Sequence, residues 1–122
     1  MIIVRITMNA LIEKRTEVMQ TLLSMIEPTE NVRGCLRFHV LQDIEDESDF
    51  RLIEEWETRA YLNEHIKSDR FSVLLGTKSL LCEPLKIQIF TVSDSEGIEA
   101  VNSVRKKETG FTHINAVRSL LT

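Results

Sequence analysis

Apolar and polar positions alternate with a period of two from Gly34 to Asp43 and again from Phe50 to Glu57, then change to a helical spacing directly after Trp56. Such alternation predicts two half-buried strands, and the stretch from Ile44 to Asp49, with four acidic residues, predicts a solvated turn joining them as antiparallel neighbours. Thr58 is placed as the N-cap of the next helix, which runs through Tyr61 and His65 toward Ser68-Asp69-Arg70-Phe71. Upstream, Ile2 to Met8 is a short strand rich in β-branched residues. Asn9 is expected to cap a helix that Pro28 stops near Glu27. Leu11, Ile12, Val18, Met19, Leu22, Leu23, Met25 and Ile26 gather on one broad face of that helix. Downstream, Phe71 to Leu81 reads as a helical or 3₁₀ segment interrupted at Gly76, and Pro84 admits a last strand from Leu85 to Val92.

The resulting order β-α-β-β-α-β defines an α+β, ferredoxin-like arrangement over residues 1–93: an antiparallel four-stranded sheet with the main helices on one face. Phe38 and Val40 share a strand with Cys35 and Leu41, so both faces of the sheet are expected to be apolar. Helices cover one face. A second copy related by a twofold axis would cover the other, giving a homodimer with a barrel-like core, a dimeric α+β barrel. Residues 94–122 are extra to this domain, a C-terminal helical extension or tail. Ser93 and Glu96 stand in capping-box spacing, and Ile98, Val101 and Val104 recur at i, i+3, i+6. After Gly110 a second stripe follows at Ile114, Val117, Leu120 and Leu121. Each piece is short for an isolated helix, so the extension either docks, serving assembly, or frays.

Composition narrows the classes of function. A chain of 122 residues makes one domain, able to bury roughly two thirds of its unfolded surface. The net charge of −4 provides no basic footprint, which argues against nucleic acid or an anionic membrane as partner. Two cysteines, Cys35 and Cys82, lack any CxxC or Cys–His spacing and read as small buried hydrophobes with reduced thiols. No cationic leader with a long apolar core opens the chain, and no run of about 18 apolar residues occurs. The expected location is cytoplasmic. His39, His65 and His113 are scattered without metal-ligand spacing, so no metal is expected.

Candidate chemistry concentrates in the strand–helix unit. Trp56, the only tryptophan, shares strand parity with Leu52 and Glu54. An indole offers a large flat apolar surface and one N–H donor, suiting either an aromatic ligand or a core anchor. His65 titrates near neutrality and fits either a general base or a helix-side hydrogen bond. Glu54 is either a carboxylate with a raised pKa in an apolar pocket or a plain surface charge. His39, opposite in parity to Phe38, reads as an interface residue, and Arg5 and Arg37 as interface or edge ion-pairing groups.

Four features together resemble the antibiotic-biosynthesis monooxygenase (ABM) domain of the dimeric α+β barrels: Gly34-Cys35-Leu36 entering a strand, Glu54-Glu55-Trp56 ending the next, His65 on the helix, and Ser68-Asp69-Arg70-Phe71 after it. The resemblance covers about residues 1–93. It implies a cofactor-independent monooxygenase acting on a small aromatic or quinol-like molecule between sheet and helices. In that reading His65 and Glu54 are the catalytic residues, and Trp56, Leu52, Phe38 and Tyr61 contact the substrate. The chain also departs from the family pattern. Leu75 stands where haem-degrading relatives place an axial histidine, and Ile2–Met8 lacks their strand asparagine. Leu52 stands where aromatic oxygenases carry an amide. The alternative is a non-catalytic, ligand-binding or stress-related dimer whose pocket is filled by Leu52, Leu75 and their neighbours.

Overall fold

The computed structural model describes residues 1–109, which divide into two compact units, Met1–Val92 and the segment from Ser93 onward. In the first unit, β1 (Ile2–Asn9) alternates strictly: Ile2, Val4, Ile6 and Met8 are buried, while the residues between them are not. The strands β2 (Cys35–Gln42), β3 (Asp49–Trp56) and β4 (Lys86–Thr91) complete an antiparallel sheet in the order β2-β3-β1-β4. Helix α1 (Arg15–Glu30) lies on β2, and α2 (Arg59–Ile66) lies on β3 with α3 (Asp69–Gly76) beside it. The core is the layer between, where Val18, Leu22, Leu62, Phe71 and Leu74 meet Phe38, Phe50, Leu52 and Trp56. This is the ferredoxin-like arrangement expected from the sequence.

Three local expectations are corrected. Asn9 does not cap a helix. It is the last residue of β1, paired with Asp49, and Ala10 still bridges to Leu81. A 3₁₀ turn (Ile12–Lys14) intervenes before α1, whose N-terminus has no side-chain cap. Pro28 does not stop α1 either, because it falls in the final turn. There its fixed φ suits the helix and only one backbone donor is lost. Asn31 closes the end, its backbone N–H and its side-chain amide both donating to the Glu27 carbonyl. Nor is the apolar face of α1 broad: Val18, Leu22, Met25 and Thr29 are buried, whereas Ile12, Met19 and Leu23 are exposed.

A β-bulge at Leu36 alters the second strand. Cys35 pairs with Trp56 and Arg37 with the adjacent Glu55, leaving Leu36 as the extra residue. The inserted residue reverses parity, so Cys35 lies on the helix-facing side with Phe38 and Val40. The expectation that Cys35 faces the opposite side fails for this reason. That opposite face carries Ile3, Ile53, Leu41 and Phe90 among Arg5, Arg37, Arg51 and His39, with Arg37 bridged to Glu55 at 3.2 Å. Cys82 is exposed rather than buried, and both thiols are free.

In the second unit, helix α4 (Ile98–Thr109) carries Ile98, Val101 and Val104 as an exposed stripe. The second stripe at Ile114, Val117, Leu120 and Leu121, and His113 with it, lie outside the described residues. No helix among the described residues is long and apolar enough to cross a membrane.

Candidate functional site

Alternation along β3 turns Phe50, Leu52, Glu54 and Trp56 toward the helices, and all four are fully buried. A carboxylate in such a row is unusual, because an unpaired charge away from water is costly. Glu54 has one partner: the Trp56 indole N–H donates to its Oε1 at 2.9 Å. His65 arrives from the last turn of α2. That helix starts at Thr58, whose side chain accepts from the Tyr61 backbone N–H, as the capping pattern foretells. Ser68 then ends one helix and starts the next. Its hydroxyl donates to the His65 carbonyl at 2.6 Å and accepts from the Phe71 N–H at 3.3 Å.

These elements bring Glu54, Trp56 and His65 together. The imidazole stacks on the indole with ring centres 4.7 Å apart, and Phe71 meets the imidazole edge-on at 5.5 Å. His65 Nε2 stands 3.9 Å from Glu54 Oε1, too far for a hydrogen bond. Both groups are shut away from solvent, with His65 1% and Glu54 0% exposed. Burial pushes the Glu54 carboxyl up from 4.5 to about 7, against a smaller lowering by the Trp56 donor. Burial, with the charge of Arg70 second, pushes His65 down to about 4. Near neutral pH the pair is therefore not an ion pair: the imidazole is neutral and the carboxyl is poised to take or release a proton.

Glu54 Oε2, both ring nitrogens of His65, and Arg70 Nε are buried without hydrogen-bond partners in the protein. Each such atom costs about 1–3 kcal/mol. Only one other buried side-chain polar atom among the described residues, Thr29 Oγ1, shares that condition. Unmet hydrogen-bonding capacity therefore gathers around one carboxyl and one imidazole.

The remaining sequence candidates divide. Phe38 stands across the ladder from Glu54, and Leu52 lies one layer along β3; both are fully buried. Tyr61 is elsewhere: it packs on Gly34, with the Arg33 guanidinium 5.8 Å above its ring. Gly34 is required there, since it takes φ +88° and a Cβ would overlap the tyrosine ring. Leu75 is exposed and fills no pocket. His39 is exposed on the open face. Two residues near the buried group gave little signal in the sequence. Arg70 sits in the Ser68–Phe71 stretch, where nothing in the spacing marks it for chemistry, and Cys35 was hidden by the bulge.

The family model for antibiotic biosynthesis monooxygenase matches residues 1–74, and the chain belongs to that family. Among solved structures, a candidate antibiotic biosynthesis monooxygenase of Deinococcus radiodurans is similar with a TM-score of 0.74 at 22% identity, covering 80% of this chain and 97% of that one. A conserved protein of Methanosarcina mazei Go1 is 30% identical with a TM-score of 0.69, over 73% of this chain and 89% of that one. An uncharacterized protein of Synechocystis sp. is 25% identical over 85 residues, 69% of this chain. The match spans 58% of that relative's length.

Proposed function

We propose that this chain is a cofactor-independent monooxygenase of small aromatic or quinol-like molecules, using the Glu54–Trp56–His65 group between sheet and helices. The observation that carries this reading is the buried Glu54 carboxyl, with one oxygen held by the Trp56 indole and the other without a partner. A base poised near neutral pH is matched to removing a proton from an acidic phenol or activated ring methylene. His65, neutral and next to it, supplies one N–H donor and one acceptor to a substrate oxygen. The chemistry balances without a reductant. Glu54 takes a proton from the ring methylene, and the resulting carbanion supplies the electrons that bind dioxygen at carbon. The peroxide regains that proton, and Glu54 then takes the carbon's second proton as the O–O bond breaks. The C–H electrons form the ring carbonyl, while the departing hydroxide recovers the proton and leaves as water.

A second reading has its own support. His65 covers one face of the indole and none of the three side chains reaches solvent. The same fold would then be a ligand-binding or stress-related dimer with a degenerate pocket. Oxygen uptake on hydroxylated polycyclic aromatics and quinols, with no added cofactor, separates the two. Uptake by the wild type, loss of turnover in Glu54→Gln, and weaker substrate binding in Trp56→Phe support the enzyme. Binding without uptake across the panel supports the alternative.

The working unit is proposed to be a cytoplasmic homodimer joined through the open sheet face. The exposed Leu41 and Phe90 on that face, beside Ile3 and Ile53, support this. A folded monomer in sedimentation at micromolar concentration would refute it.

A further inference from the structure

The open sheet face carries a charge opposite in sign to that of the chain. Its strands present four exposed cations there, Arg5, Arg37, Arg51 and Lys86, against two carboxylates, Asp49 and Glu55, while the whole chain is at −4. Both carboxylates are already engaged, Glu55 by Arg37 at 3.2 Å and Asp49 by Arg51 at 3.0 Å. Arg5 lies over the Phe90 ring at 5.4 Å and donates to Gln88 Oε1 at 3.0 Å, so it pairs with no carboxylate among the described residues. We propose that the homodimer joined through this face comes apart in acid, and that His39 is the group whose protonation releases it. The inference rests on the homodimer proposed above and adds its regulation.

His39 is exposed and stands on the rung between those of Arg37 and Leu41. It pairs across the ladder with Ile53, and Ile53 pairs in turn with Arg5. Arg37 precedes it by two residues on β2, and Arg51 and Glu55 stand diagonally on β3, all within about 8 Å by ordinary sheet spacing. Arg5, two strands away, is about 10 Å distant. From the end of α1, Glu30 lines the same edge cavity as Arg37 and His39. Lys86 and Asp49 lie on the rungs beyond. Even with Glu30 included, fixed cations outnumber carboxylates around the imidazole.

An imidazole changes its charge between pH 5 and 8. A twofold axis sets the same face of a second copy against the first, so each positive face meets another. Sheets packed face to face stand about 10 Å apart, close to the Debye length of about 8 Å at physiological salt. Each proton taken up by His39 is thus felt by the second copy as well as by its own. Ile3, Leu41, Ile53 and Phe90 draw the faces together, and the cations oppose them. Proton uptake and association therefore compete. The dimer is favoured where the imidazole is neutral and loses ground as pH falls through its titration.

Sedimentation equilibrium of the full chain at pH 8 and pH 5.5 in low salt tests this with wild type, His39→Gln and His39→Arg, each checked for folding by circular dichroism. All other titrating groups are common to wild type and His39→Gln, so their difference isolates His39. The wild-type dimer Kd is expected to rise about tenfold or more in acid, and that of His39→Gln by less than about threefold. His39→Arg, charged at both pH values, is expected to dimerise weakly at both; if it fails to fold, His39→Lys takes its place with the same expectation. Salt at about 0.5 M should shrink the wild-type change, because the Debye length shortens to about 4 Å. An equal rise in His39→Gln, or a wild-type Kd that does not move with pH, overturns the acid release and leaves the homodimer standing. A folded monomer at pH 8 in high salt overturns the homodimer itself, and this inference with it.

Discussion

Replacing Glu54 by glutamine should make the protein more stable at alkaline pH and leave acid stability nearly untouched. The folded carboxyl titrates at about 7, against 4.5 for the free group, chiefly because burial penalises its charge. Below 4.5 the group is protonated whether the chain is folded or not, and it costs nothing. Between those values the unfolded chain ionises first, so the folded state loses ground as pH rises, and above 7 the loss is complete. At 1.36 kcal/mol for each factor of ten, the full penalty is about 3 kcal/mol. Glutamine keeps an oxygen for the Trp56 N–H and carries no charge, so it escapes that penalty. The melting temperature of Glu54→Gln minus that of wild type should therefore climb by roughly 10 °C between pH 4 and pH 8. Circular dichroism melts across that range measure it, and taking the difference between proteins cancels the His65 contribution. A flat difference, or a mutant that loses ground at high pH, would refute this by showing that Glu54 is ionised in the folded protein and held by a cation.

Three further outcomes are expected. His65→Phe should act in the opposite direction: the folded imidazole titrates at about 4, so wild type loses stability as pH falls below 6.5, by about 3 kcal/mol in full. Melts at pH 4 and pH 8 should show the phenylalanine variant gaining only in acid, and a gain at both would refute this. Gly34→Ala should cost at least about 2 kcal/mol in urea denaturation, from the left-handed backbone and the overlap with Tyr61; an unchanged midpoint would contradict both causes. Truncation after Asp94 should weaken the dimer in sedimentation while leaving ligand affinity nearly constant. Lost binding with an unaltered dimer would instead make the extension a lid.

Most of the fold was legible because single residues marked its junctions. Thr58 caps α2 as its spacing indicates, and parity along β3 places Leu52, Glu54 and Trp56 on one face. What escaped depends on contacts distant in sequence. Asn9 resembles a helix cap, but the pairing of β1 with β3 keeps it in the sheet. An inserted residue such as Leu36 leaves no trace in a period-two pattern, yet it moves Cys35 to the other face. The burial of Glu54 was open for a similar reason. Side by side in the chain, Glu54 and Glu55 look alike, and only the parity shared with Trp56 distinguishes the buried one from its half-buried neighbour. Arg70 carried no periodic signal, and its tie to His65 comes from the turn that Ser68 makes between two helices.

The claim that Glu54 is the base of a cofactor-free oxygenation is tested most directly by the pH dependence of oxygen uptake. It would be measured with the most active quinol or hydroxylated aromatic, for wild type and Glu54→Gln. The account predicts a wild-type rate that rises through an inflection near pH 7 to a plateau, with product carrying oxygen from labelled dioxygen and no such inflection in the glutamine variant. A rate that merely follows the substrate's own ionisation, equal with either protein, would contradict it.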